Sequence, residues 1–395
     1  MWLLNARTRK LEGFIGEDVP MYAILSHTWE TDEVSFHDIN HNANAETKLG
    51  YQKIRWTCAQ ALEDGLNYAW VDTCCIDKYS SAELSEAINS MWRWYRSSSK
   101  CYAFLSDVLV KCSEALSDGQ SENCPFETPP AEREFRKSRW FTRGWTLQEL
   151  IAPPDVTFYG AGWCRLGSRR GELLNDIVDI TRIPSEILTE EGPLPFYSVA
   201  QRMSWAAMRT TTRVEDEAYS LLGMFQVNMP LLYGEGRKAF RRLQEEIIKQ
   251  STDHSIFVWG LGEDQVFDRF KREHELLSQS AYYFDRCGSI ECTLHLNSTA
   301  ELARTPYALT NCGLQITLPI MKERLREHKK PGGSLRQEIT AVLNCASDGM
   351  VAVLHLFRPR RAYMYRLFGM SFLDPGKAKG EMQNITIEYR PYERF

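Results

Sequence analysis

Apolar positions in the first part of the chain alternate between short continuous runs and helix-spaced faces. The run MYAILSHTW (21–29) predicts a buried strand whose C-terminal end carries Ser26, His27 and Trp29. Tyr51, Ile54, Cys58, Ala61 and Leu62 then share one helical face, with Gly65 as the stop. YAWVDTCC (68–75) predicts a second strand running into Ile76-Asp77. The pattern Ser80-x-x-Glu83 predicts a capping box. It opens a helix with Leu84, Ala87, Ile88, Met91 and Tyr95 inward and Ser97 to Ser99 at its end. KCYAFLSDV (100–108) predicts a third strand, and the polar stretch from about Ser113 to Pro130 a long loop or lid. SRWFTRGWTLQELIAPPDVTFY (138–159) predicts a short aromatic helix stopped by Pro153-Pro154, then the strand DVTFY.

Strands alternating with helices imply a parallel sheet with crossover helices on both faces. Ligands of such sheets sit at the C-terminal ends of the strands. That edge would gather Ser26, His27, Trp29, Asp72, Asp77 and Asp107, with the 138–152 helix and Glu149 beginning close by. From Leu166 to Gln250 the periodicity turns helical, with candidate helices at 173–180, 196–208 and 215–225. The last of this series follows a PLLYGEG turn and points Phe240, Leu243, Ile247 and Ile248 inward. After Trp259, ECTLHL, YALTNCGLQITLPI, EITAVLNC, MVAVLHLF and ITIEYRPY are short runs separated by turn residues. They predict an antiparallel β-domain, a sandwich or small barrel. The expected organisation is an α/β domain (1–165), a helical extension packed on it (166–260) and a β-rich domain (261–395).

Composition narrows the function classes. A chain of 395 residues exceeds one ordinary core, consistent with two or three units. A net charge of −5 leaves no electrostatic footprint for nucleic acid or an anionic membrane. The basic runs Lys322–Lys330 and Arg358–Arg366 read as solvated faces. No apolar stretch is long enough to span a bilayer, and MWLLNARTRK does not read as a secretion leader. The 11 cysteines lie in apolar segments without a paired C-x-x-C, which suggests reduced cytoplasmic thiols and no metal centre. P-loop, dinucleotide-fingerprint and G-x-S-x-G patterns are absent, and no two carboxylates show a spacing that demands two-acid catalysis.

Within 138–159, Trp145 and Glu149 stand four apart, an indole one turn from a carboxylate. Composition alone favours a solvated surface acid; position at the sheet edge favours a pocket carboxyl whose charged form is disfavoured. His27 is either a ligand contact or a hydrogen-bonded strand end, and adjacent Ser26 points to the opposite face. Asp72 and Asp77 either line the pocket or cap the next helix.

YAILSHTW (22–29), EVSFHDI (33–39), YAWVDTCCIDKYSSAELSEAINSMWRWY (68–95), CYAFLSDV (101–108) and SRWFTRGWTLQELIAP (138–153) resemble the successive blocks of fungal HET (heterokaryon incompatibility) domains. RVEDEAYSLLGMFQVNMPLLYGEGRKAFRRLQEEI (213–247) is similar to the segment that often follows them. The resemblance covers roughly residues 20–260. It implies a role in fungal non-self recognition and regulated cell death. HET domains are also regarded as distant relatives of TIR domains, some of which cleave NAD. It therefore implies a TIR-like (flavodoxin-like) sheet and NAD or a related nucleotide as substrate rather than bound cofactor. LSHTW is similar to the first-strand motif of TIR domains, and Trp145-x-x-x-Glu149-Leu150 to the helix motif with the catalytic glutamate. Only Glu149 is carried over; Ser26, His27, Trp29, Asp72, Asp77 and Trp145 are substrate-binding candidates by position. The chain departs from the TIR pattern in its long 112–136 segment and in Thr146, where TIR domains have cysteine. TIR enzymes commonly act after self-association, so a homo-oligomer is expected, with a protein partner for recognition. The alternative is a non-enzymatic module that self-associates and signals through protein contacts. In either case the β-domain could gate it by binding a ligand or a non-self protein.

Overall fold

A computed structural model describes residues 1–41, 45–109, 134–189, 194–261, 275–292, 306–326, 336–358 and 364–388. The chain divides into two compact units. The first comprises residues 1–193, 209–212 and 219–231, and the second residues 194–208, 213–218 and 232–395. The 113–130 stretch expected to form a loop or lid lies outside the described residues, as do residues 327–330 and 359–363 of the two basic runs.

The first unit is built on one seven-stranded sheet. Its strands are β1 (Trp2–Asn5), β2 (Leu11–Gly13), β3 (Ala23–His27), β4 (Tyr68–Trp70), β5 (Lys100–Phe104), β6 (Val156–Tyr159) and β7 (Arg165–Ser168). They lie in the order β2-β1-β4-β3-β5-β6-β7. β4, β3, β5 and β6 run parallel; β1, β2 and β7 are antiparallel additions at the two edges. The mixed α/β class agrees with the pattern reading, but the edges make the sheet mostly rather than wholly parallel. Those edge strands are too short to show a period. Chain order reverses between β3 and β5, the position at which sheets of this kind bind ligands, outside the C-terminal ends of the strands.

The helices follow from their caps and faces. α1 spans Phe36–His41, α2 Tyr51–Glu63 and α3 Ser81–Ser97. Tyr51, Ile54, Cys58 and Ala61 of α2 are buried, and Gly65 terminates it at φ +78°, a backbone region costly for other residues. At the start of α3, Ser80 Oγ accepts from Glu83 N at 3.3 Å, but Glu83 reaches back to Asp77 N rather than Ser80 N. The reciprocal box read from sequence is therefore only half formed.

The aromatic segment is also not one helix. A 3₁₀ turn at Arg139–Thr142 is followed by extended Arg143 (φ −84°, ψ 140°), and α4 starts afresh at Thr146–Ile151. The reason is upstream anchoring. Asp107 Oδ1 accepts from Ser138 Oγ at 2.7 Å and Oδ2 from Arg139 N at 2.8 Å, while Arg143 forms a parallel bridge with Thr210. Those tertiary bonds satisfy backbone groups that a continuous helix would pair internally. Glu149 consequently sits mid-helix.

In the second unit, the helix Lys238–Gln250 buries Phe240, Leu243, Ile247 and Ile248, as their spacing predicts. Its strands are β8 (Glu291–Cys292), β9 (Ala308–Thr310), β10 (Gly313–Arg326), β11 (Arg336–Ser347), β12 (Met350–Arg358), β13 (Arg366–Leu373) and β14 (Glu381–Ile387), all pairing antiparallel. The path β13-β12-β11-β10-β14 joins its own ends: Tyr365 N donates to Thr386 O at 2.8 Å and Glu388 N to Tyr365 O at 2.7 Å. The antiparallel sheet agrees with the β-rich reading of this region, and an isolated bridge between Tyr365 and Ile387 links the two ends of the path.

Candidate functional site

Side chains alternate across the sheet, and parallel partners at one level share a face. Leu25 and His27 pair with Tyr102 and Phe104, whereas Ile24 and Ser26 pair with Cys101 and Ala103. Tyr102 Oη reaches Asp64, just past α2, at 2.5 Å, and Cys101 Sγ reaches Glu149 O at 3.9 Å. His27 thus belongs to the α2 face and Ser26 to the α4 face, the separation expected of neighbours in a strand.

On the α4 face, Ser26 Oγ donates to Glu149 Oε2 at 2.5 Å and accepts from Trp140 Nε1 at 2.8 Å. Ser26 and Trp140 are fully buried and Glu149 is 6% exposed. Burial pushes the Glu149 carboxyl up to about 8, and the negative charge of Asp72 adds to the rise. Hydrogen bonds from Ser26 and Tyr95 and the Arg143 charge oppose it without cancelling it. The carboxyl is therefore mostly protonated at neutral pH. It is a buried neutral acid, not the solvated surface acid that composition favoured.

On the other face, His27 is buried, with both ring nitrogens lacking a hydrogen-bond partner. Nδ1 lies 3.7 Å from Asp72 Oδ1 and Nε2 3.9 Å from Glu33 Oε2, beyond hydrogen-bonding reach. Desolvation, then the Lys53, Lys78 and Arg143 charges, hold its pKa well below the usual histidine range, so the ring is neutral. Asp72 is raised by burial, and its Oδ1 is also an unpartnered buried atom. Its other oxygen accepts from Trp29 Nε1 at 2.7 Å. Trp29 is 45% exposed, and Lys78 Nζ stands 3.6 Å from its ring centroid. Unmet buried donors and acceptors beside an exposed indole are features of a ligand site.

Four of the sequence candidates, Ser26, His27, Asp72 and Glu149, are brought together across β3, and Trp29 closes over Asp72. Asp77 is engaged elsewhere: its Oδ1 accepts from Tyr79 N at 3.0 Å and lies 3.6 Å from His37 Nε2. Trp145 is half-buried at the N-cap of α4, and Asp107 anchors Ser138 and Arg139. Pattern reading missed Trp140, Arg143 and Arg209. Arg209 Nη1 donates to Arg143 O at 3.0 Å and Thr146 Oγ1 at 2.9 Å, and its charge acts on Glu149. Trp140 and Arg143 lie in the same aromatic stretch as Glu149; nothing near Arg209 in sequence links it to that site. Among the described residues, no group of three or more His, Cys, Asp or Glu is placed to hold a metal ion.

Comparison with known proteins finds similarity over most of the residues of this site. Residues 22–149 match the family model for heterokaryon incompatibility protein (HET), and residues 238–337 match a domain of unknown function, DUF8212. Over 234 residues the chain is 51% identical to Vegetative incompatibility protein HET-E-1 of Podospora anserina. That match takes in 58% of this chain and 16% of the relative, so the chain spans a small part of that protein's length. No solved structure matches. No helix among the described residues is long and apolar enough to cross a membrane.

Proposed function

We propose that this chain acts in fungal non-self recognition and cell death, and that its α/β unit cleaves the ribose–nicotinamide bond of NAD with Glu149 as the catalytic carboxyl. The role rests on the HET match and the similarity to a vegetative incompatibility protein. The observation that carries the chemistry is the buried Glu149 carboxyl at the C-terminal strand edge, hydrogen-bonded to Ser26. The TIR-like reading supplies the substrate class.

The reaction breaks the C1′–N bond, releases neutral nicotinamide and adds water to C1′ with loss of one proton. A cationic nicotinamide ribosyl group beside Glu149 favours the ionised carboxyl, so substrate lowers the very pKa that burial raises. The resulting carboxylate stabilises the oxocarbenium-like charge developing at C1′. Trp29 and Trp145 supply aromatic walls, and His27 and Asp72 supply unpaired polar atoms for ribose hydroxyls. Self-association would assemble the active form in the cytoplasm, and a protein partner would trigger it.

The test compares NAD consumption by concentrated wild-type protein and Glu149→Gln. The expected result is loss of turnover by at least about a hundredfold in the variant with its fold intact. Equal turnover would refute the role of Glu149. A second reading is favoured by the 6% exposure of Glu149 and complete burial of Ser26. In it the Ser26–Glu149 pair is a structural tie in a module that signals by protein contact. Cell toxicity then survives Glu149→Gln and disappears when self-association is broken.

A further inference from the structure

Two arginines beside Glu149 have no role in the chemistry above. Arg143 lies in the extended break before α4, and Arg209 arrives on the segment bridged to it through Thr210. Gly144 N donates to Thr210 O at 2.8 Å and Thr210 N to Thr142 O at 2.7 Å, so backbone bonds lock the two segments side by side. Arg209 Nη1 is used to fix this junction, whereas its Nη2 is buried with no hydrogen-bond partner. Neither arginine has an ion-pair partner among the described residues.

From this juxtaposition we infer that Arg143 and Arg209 form an anion subsite that takes the phosphate groups of the ligand bound at Glu149, a pyrophosphate bridge in the case of a dinucleotide. The inference rests on the proposed nucleotide reading for the ligand's identity, and on the two unpaired guanidiniums for its charge. The backbone pairing brings two guanidinium-bearing segments side by side, and guanidinium is the side chain best suited to phosphate contacts. Desolvation holds the Arg209 pKa down to about 9, the mark of a cation buried with too little opposing charge. The Arg143 charge acts on both His27 and Glu149. A protonated Glu149 does not neutralise these arginines. An incoming phosphate supplies the missing charge.

The experiment is calorimetric titration of the full chain with inorganic pyrophosphate, ADP-ribose and nicotinamide riboside. Wild type is expected to bind pyrophosphate and ADP-ribose. Arg143→Gln and Arg209→Gln should each weaken both at least about tenfold, with Arg143→Lys retaining part of the affinity and nicotinamide riboside unaffected. Near-ultraviolet circular dichroism checks the fold; should Arg209→Gln unfold, the half-buried Arg143 carries the comparison alone. Unchanged pyrophosphate affinity in Arg143→Gln, or no pyrophosphate binding by wild type, overturns the subsite. Arginine-dependent pyrophosphate binding without NAD consumption keeps the subsite and removes the glycohydrolase reading. NAD consumption with an unaltered KM in Arg143→Gln does the reverse.

Discussion

Protonated Glu149 has a thermodynamic signature that does not depend on any substrate. Its carboxyl is raised by burial from 4.5 to about 8 in the folded chain and returns to its ordinary value on unfolding. The folded state therefore holds a proton that the unfolded state gives up across this window. The resulting stability is complete below pH 4.5 and is lost as pH rises through about 8. Each unit of difference is worth about 1.4 kcal/mol, so from pH 5 to pH 9 the group withdraws about 4 kcal/mol. Other groups titrate as well, which makes the difference between two proteins the informative quantity. Urea unfolding of wild type and Glu149→Gln at pH 5, 7 and 9 should show the variant gaining about 4 kcal/mol relative to wild type between the extremes. Gln keeps the shape and cannot ionise. Parallel stability profiles would refute the claim that Glu149 is a buried neutral acid, and with it the account of substrate-induced ionisation.

Three further outcomes follow from other parts of the fold. In the second unit, buried His254 accepts from Asn344 N through Nδ1 at 3.0 Å, and desolvation lowers its pKa to about 4. Its stabilisation is present above pH 6.5 and lost as pH falls through about 4; NMR should find the ring uncharged down to pH 5, and titration near pH 6.5 would contradict this. Ser80→Ala removes the α3 cap and should cost about 1 kcal/mol in chemical denaturation, with Ser80→Asp recovering most of it. Gly223, in the short helix Leu222–Phe225, lies so close to α3 that an added Cβ would sit 2.0 Å from Trp92 Cβ. Gly223→Ala should cost about 3 kcal/mol, read as a lower unfolding midpoint, and an unchanged midpoint would show that the two helices can part freely.

The legible parts of this molecule were those where a period or a breaker acts locally. The apolar runs 21–29 and 68–75 hold the central strands β3 and β4, because parallel strands covered on both faces need continuous hydrophobicity, but the second run leaves the sheet after Trp70. Gly65 ended α2 because its positive φ suits no other residue as well. The aromatic segment misled because its helical spacing was real, but Asp107 and Thr210 hold its backbone in two pieces from outside. Its place after the third strand put Glu149 at the sheet edge and the family resemblance singled it out, yet its protonation could not be read. That state depends on burial and on the charge of Asp72, both products of packing. Arg209 was illegible for the same reason: it lies 60 residues beyond Glu149 in sequence and arrives there by a backbone bridge.

The path of the chain between the two units bears on how such a protein can be recombined. The family match ends at Glu149, but β6 and β7 complete the same sheet afterwards, and 209–212 and 219–231 belong to the same compact unit. A splice at the end of the family match would remove two strands and strand Arg143 without the segment that braces it. The smallest inheritable module is therefore longer than its recognisable signature. Shuffling that respects the fold must carry the residues up to 231 as a block, including the excursions 194–208 and 213–218 that belong to the second unit.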